Sequence, residues 1–127
     1  MKINYIQFKK AFEYALYYYN LIDQVPSVIT SASKTRSKTT TTANWIFEYA
    51  KLKKNLFFGY ELKDGIYIAS PEKALADLMY LMSRGKRMVE LDSLEIKKIN
   101  IKKLKNILKK FPKYTIKFFT SKYCILF

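Results

Sequence analysis

Histidine is missing from this sequence of 127 residues, and it holds only one cysteine, three glycines and three prolines. Each scarcity removes a class of chemistry. Without histidine there is no Ser-His-Asp triad, no His-activated thiol nucleophile and no His-containing zinc site. Cys124 alone makes neither an internal disulfide nor a cysteine cage for a metal, a usage that fits a reducing cytosol. Three glycines leave little material for a loop that cradles phosphates. No motif pairs Glu72, Asp77 or Glu90 with a nucleophile or a metal-binding partner, so the expectation is a protein without enzymatic activity, metal or cofactor. Long apolar runs are lacking too. Asn20, Asp23 and Asp77 break the most apolar stretches short of a membrane span, and the start MKINYIQFKK has no secretory apolar region, so a cytoplasmic protein with no membrane partner is expected.

Acids are the remaining shortage: 10 against 24 Lys and Arg, a net charge of +14 that favours polyanionic or acidic partners. The imbalance is concentrated. From Ile96 to Phe127 there are ten lysines and no acid, whereas residues 1–95 carry 14 bases and all 10 acids. What is plentiful is apolar surface, 50% of residues with 17% aromatic, enough for one packed core in a chain of this length.

The pattern along the chain predicts an α+β domain. Phe8, Phe12, Ala15, Leu16 and Tyr19 recur at helical spacing within Tyr5 to Ile22. Tyr17, Tyr18 and Tyr19 point around more than a third of that helix, so at least one ring reaches the rim of the core or a partner. Asp23, Gln24 and Pro26 end it, and a strand through Ser27 to Ala32 follows. Residues 33–44, SKTRSKTTTTAN, have no large apolar side chain and read as a loop with extended flanks. If that stretch is extended, Lys34, Arg36 and Lys38 lie on one side about 7 Å apart, a spacing that suits a phosphate backbone as well as a charged hairpin edge. Trp45 to Tyr49, Phe57 to Leu62 and Ile66 to Ala69 read as strands, the last two joined at Asp64-Gly65, so a small antiparallel sheet of about four strands is expected.

Ser70-Pro71-Glu72 has the chemistry of a helix start, and Ala74, Leu75, Leu78, Leu81 and Met82 continue it as an apolar stripe with Lys73, Asp77 and Arg84 pointing away. Ser83-Arg84-Gly85 ends it, and Gly85-Lys86-Arg87 opens a basic connection. Leu104, Ile107, Leu108 and Phe111 form one face of a basic helix that carries Lys102, Lys103, Lys105, Lys109 and Lys110. These five lysines with Lys34, Arg36 and Lys38 are the candidate nucleic-acid or partner-binding residues, although a lysine-rich helix is equally consistent with a solvated face. Pro112 interrupts the chain before a last short helix or strand over Tyr114 to Tyr123, where Ile116, Phe118 and Phe119 satisfy neither period cleanly and helix is the preferred reading.

The segment Ile68-Ala69-Ser70-Pro71-Glu72-Lys73-Ala74-Leu75-Ala76-Asp77-Leu78 resembles the signature of the AbiEi antitoxins of AbiE-type, or type IV, toxin-antitoxin systems. Upstream, Phe12 to Ile22 is similar to that family's SALxYxGLI helix, with Asn20 where the family usually has Gly, and Ile29-Thr30-Ser31-Ala32 resembles its ITxVT strand. The basic stretch Lys34 to Lys38 and the strand Leu56-Phe57-Phe58-Gly59-Tyr60 follow in the family's order, so the resemblance spans residues 5–84. It implies that residues 1–127 are a single antitoxin domain without the usual N-terminal winged helix. It further implies a role against an AbiEii-like nucleotidyltransferase toxin, in abortive infection and phage defence, with DNA binding and transcriptional regulation of its own operon. The alternative is a general nucleic-acid-binding domain that uses the basic loop and the lysine-rich helix.

Overall fold

The computed structural model describes residues 8–10, 12–22, 28–42, 46–63, 65–86 and 94–123. Trp45, Asp64, Arg87, Glu90 and Cys124, which entered the sequence reading, lie outside them. The fold is α+β. Its strands are β1 (Phe8–Lys10), β2 (Val28–Ser33), β3 (Lys38–Thr41), β4 (Ile46–Lys51), β5 (Tyr60–Lys63) and β6 (Ile66–Ala69). Its helices are α1 (Phe12–Tyr18), α2 (Pro71–Ser83), α3 (Ile101–Leu108) and α4 (Lys113–Tyr123), the last resolving as helix a segment whose pattern fits neither period cleanly.

The sheet is larger than expected and mixed. Six strands run in the order β3-β4-β2-β1-β6-β5. β1/β2, β3/β4 and β5/β6 are antiparallel, while β2/β4 and β1/β6 are parallel, the latter through the single pair Lys10↔Ile68. The two additional strands come from segments read as the start of a helix and as the extended flank of a loop. Phe8–Lys10 sits in the first, and the exposed Thr run of β3 pairs with β4. Pairing with neighbours overrides the helical pattern at β1, whereas the β-branched threonines of β3 favour extended backbone themselves. At the helix end of that first segment, Phe12 turns the chain from strand into helix with φ 55°, a left-handed conformation sustained by complete burial of its ring.

α1 packs on β2 and on α2, and its early amide at Tyr14 donates to Thr30 Oγ1 of β2 at 3.1 Å, which explains a buried threonine in that strand. Its far end closes with Asn20 at φ 61°: the Asn20 N–H donates to the Tyr17 carbonyl and the Leu21 N–H to the Leu16 carbonyl, both at 2.9 Å. This left-handed cap is the geometry that glycine takes most easily and asparagine tolerates. Tyr17, Tyr18 and Tyr19 are all half-buried against the core.

α2 is the centre of the molecule. Ser70 Oγ accepts the Lys73 N–H at 3.2 Å and Pro71 occupies the first turn. At the other end the Gly85 N–H donates to the Met82 carbonyl and the Lys86 N–H to the Leu81 carbonyl, with Gly85 at φ 68°. Every residue from Glu72 to Met82 is buried, because α1 and β6 cover part of the helix and α3 and α4 cover the rest. Lys73 and Asp77 therefore do not point away to solvent as the single apolar stripe suggests; only Arg84 does.

Lys73 Nζ bonds both Asp77 carboxylate oxygens at 2.5 and 2.7 Å, and the rings of Phe58, Tyr60 and Phe111 lie 4.7, 5.3 and 5.7 Å from the ammonium. Burial dominates both groups, raising the Asp77 carboxyl to about 6 and pulling Lys73 below its ordinary value, while their mutual attraction opposes each shift. Glu72 is also structural: its carboxylate accepts the Asn100 N–H at 3.2 Å and meets Lys103 Nζ at 3.4 Å, which places a negative charge at the start of α3. The motif that looks like a signature is thus a set of fold-holding contacts.

Candidate nucleic-acid interface

A short 3₁₀ turn, Lys54–Leu56, drops Leu56 into the core and sends the chain through Phe57, Phe58 and Gly59 before β5 begins. The alternation of residues predicts a strand from Phe57, but Gly59 takes φ 83°, which breaks extended geometry and delays the strand to Tyr60. Any side chain at this position would place its Cβ 2.9 Å from Lys73 Cγ. Gly59→Ala is expected to cost at least about 1–2 kcal/mol from the backbone conformation alone. A thermal melt that matches the wild type would contradict this account.

The consequence of that turn is a pair of half-buried phenyl rings on the surface, and the structure brings one lysine from each predicted basic cluster to them. Lys34 Nζ lies 5.1 Å from the centre of the Phe57 ring, and Lys110 Nζ lies 4.5 Å from that of Phe58. Lys34 is presented by a turn in which Ser33 Oγ accepts the Thr35 N–H at 3.2 Å. Lys110 stands just beyond α3, whose end is pinned by buried Phe111 packed edge-on against Tyr80, ring centres 5.7 Å apart. Phe58 therefore shares its ring between the surface ammonium of Lys110 and the buried one of Lys73. Cations interleaved with aromatic faces form the arrangement on which single-stranded nucleic acids bind, the charges tracking phosphates and the rings stacking on bases.

The other candidate residues disperse. Lys34, Arg36 and Lys38 do not share one face of a strand. Residues 34–37 turn instead, held by the Ser33–Thr35 contact and by Ser37 Oγ, which accepts the Lys51 N–H at 2.9 Å, so only Lys38 enters β3. Arg36 is exposed in that turn. Lys38 leans over the Tyr49 ring at 5.4 Å and faces a separate groove. On α3, Lys102 is exposed, Lys103 is engaged by Glu72, Lys105 is half-buried and Lys109 lies 3.5 Å from Asn106 Oδ1. Two lysine–phenyl contacts emerge, Lys34 on Phe57 and Lys110 on Phe58, carried by adjacent residues of one turn.

Sequence reasoning passed over Phe57 and Phe58 as strand residues. The available signal was two adjacent aromatics directly before a glycine, where strand alternation would bury only one. Among the described residues no group of three acidic or thiol side chains could hold a metal ion, and no helix is long and apolar enough to cross a membrane. No protein-family model matches the chain, and neither does any curated protein or solved structure.

Proposed function

We propose that this chain is an antitoxin of the AbiEi type, a cytoplasmic binding protein with no catalysis of its own that counteracts a nucleotidyltransferase-like toxin. The observation that supports this reading is the convergence of the resembling segments: α1 packs on both β2 and α2. The left-handed cap at Asn20, where the family usually has Gly, agrees with the same reading. Co-expression with a nucleotidyltransferase-like toxin from the same operon is the test, and under this proposal it is expected to restore growth. Continued growth arrest with both proteins soluble overturns the proposal.

A second reading, a general nucleic-acid-binding domain, is favoured by the two lysine–phenyl contacts, Lys34 on Phe57 and Lys110 on Phe58. The two readings differ in what these groups do: in the first they deny the toxin its nucleic-acid substrate or help to regulate the operon, and in the second they act without a toxin. Binding to single strands with no rescue of growth selects the second.

A further inference from the structure

A groove of about 560 Å³ opens where the outer hairpin of β3 and β4 approaches the C-terminal end of α2. Lys38 and Lys51 line it from the strands, and Arg84 and Lys86 from the helix end. Among the described residues Glu48 is the one acid in the lining, and strand alternation turns its side chain to the opposite face of β4 from Tyr49 and Lys51. Leu81 contributes apolar surface and Tyr49 an aromatic ring.

Cations at a helix C-terminus have an ordinary explanation, since they complement the negative end of the helix. That explanation reaches Arg84 and Lys86 only. It is further weakened here because the carbonyls of Tyr80, Leu81 and Met82 already accept N–H groups from Arg84, Gly85 and Lys86. Lys38 and Lys51 belong to strands, with no helix end beside them in sequence, yet they converge on the same space. Like charges gathered in a concavity repel one another and raise the local affinity for an anion. The Arg84 guanidinium is already oriented, stacked 5.4 Å from the Tyr80 ring centre with Nη1 donating to the Tyr80 hydroxyl at 2.9 Å, and among the described residues this bond uses one of its five donors.

The geometry points to a binding site for a phosphomonoester of nucleotide size. The volume falls within the range of small-molecule pockets. A terminal phosphate is a dianion with three acceptor oxygens, and Arg84, Lys86, Lys51 and Lys38 supply the matching donors. Tyr49, whose ring carries the Lys38 ammonium at 5.4 Å, adds aromatic surface beside the cations. Such a phosphate can come from a free nucleotide or from the 5′ end of a nucleic-acid strand. The site is independent of the antitoxin reading and of the two lysine–phenyl contacts.

Calorimetric titration at about 150 mM salt with AMP, adenosine, and 5′-phosphorylated and 5′-hydroxyl forms of one short single strand tests this. AMP is expected to bind and adenosine not. Lys51→Gln and Lys86→Gln should each weaken AMP binding about tenfold, the worth of one charge-assisted hydrogen bond. Lys97→Gln, an equal charge change on an exposed 3₁₀ turn, should leave it unchanged. Tighter binding of the phosphorylated strand than of AMP assigns the source to strand ends, and the reverse assigns it to free nucleotides. Failure of both phosphomonoesters to bind overturns the site, as does an equal loss in Lys97→Gln.

Discussion

Asp77→Ala is expected to destabilise the fold by about 3–5 kcal/mol, because it leaves the Lys73 ammonium in the core without its counter-ion. Both side chains are fully buried, and the two Nζ–oxygen contacts are the only ion pair of Lys73 among the described residues. The rings of Phe58, Tyr60 and Phe111 favour a cation, but aromatic faces return only a fraction of the lost hydration. The paired replacement Lys73→Met with Asp77→Leu should be far milder, neutral or stabilising by about 1–4 kcal/mol, since it removes both charges from the apolar interior. Urea denaturation followed by far-UV circular dichroism measures each. A single variant within about 1 kcal/mol of the wild type would show that water reaches the pair and that the interior is not dry.

The same pair sets a pH dependence whose sign is fixed by burial. Asp77 rises from the usual carboxylate value of 3.8 to about 6, so the folded state holds this proton more tightly than the unfolded chain. Its contribution to stability is complete below pH 4 and is lost as pH rises through 6. Lys73 shifts downwards, so its contribution is recovered as pH climbs from its folded value towards 10.5. Relative to Asp77→Asn, which cannot ionise, the wild type should therefore lose stability between pH 4 and 6. A difference that is flat or rising over that window would mean that attraction between the partners outweighs their desolvation.

The second large effect concerns single-stranded nucleic acid. Phe57→Ala is expected to weaken binding by about 1–3 kcal/mol, the worth of one stacked base, with little change in the salt dependence. Lys34→Gln and Lys110→Gln should act differently. Each removes a phosphate contact and with it a released counter-ion, so the slope of log affinity against log salt should become shallower by about 0.7 per lysine. Phe57 packs on the Tyr60 ring, centres 5.0 Å apart, and Phe58 lies against buried Lys73, so a thermal melt of each variant must accompany its binding curve. Fluorescence anisotropy with a labelled single strand across a salt series separates the two kinds of loss. A surface that merely keeps the protein soluble would give the same slope in all variants and no effect of Phe57→Ala.

The central helix was legible because its signals are local. Ser70 and Pro71 start α2 and Gly85 ends it through contacts within a few residues, whereas α1 is shorter than its apolar spacing suggests, running only from Phe12 to Tyr18 with its cap at Asn20. The β5–β6 hairpin was legible for the same reason, with Gly65 at φ 80° beside the closing pair Lys63↔Ile66. Strand order was not. β2 pairs in parallel with β4 along its whole length, and β1 joins β2 to β6 across some sixty residues of sequence, partnerships that no local pattern encodes.

The sequence by itself determined the excess of positive charge, the lack of histidine chemistry, and the existence and ends of the central helix, since composition and caps are local properties. Only the tertiary structure decided which charges are free to act. It buried Lys73 with Asp77 and tied Lys103 to Glu72, while Lys34 and Lys110, more than seventy residues apart, reached neighbouring rings and Lys38 and Lys51 joined Arg84 and Lys86 around one groove. The physical reason is that a lysine's role is set by the dielectric and the partners around it, and both come from elements distant in the chain.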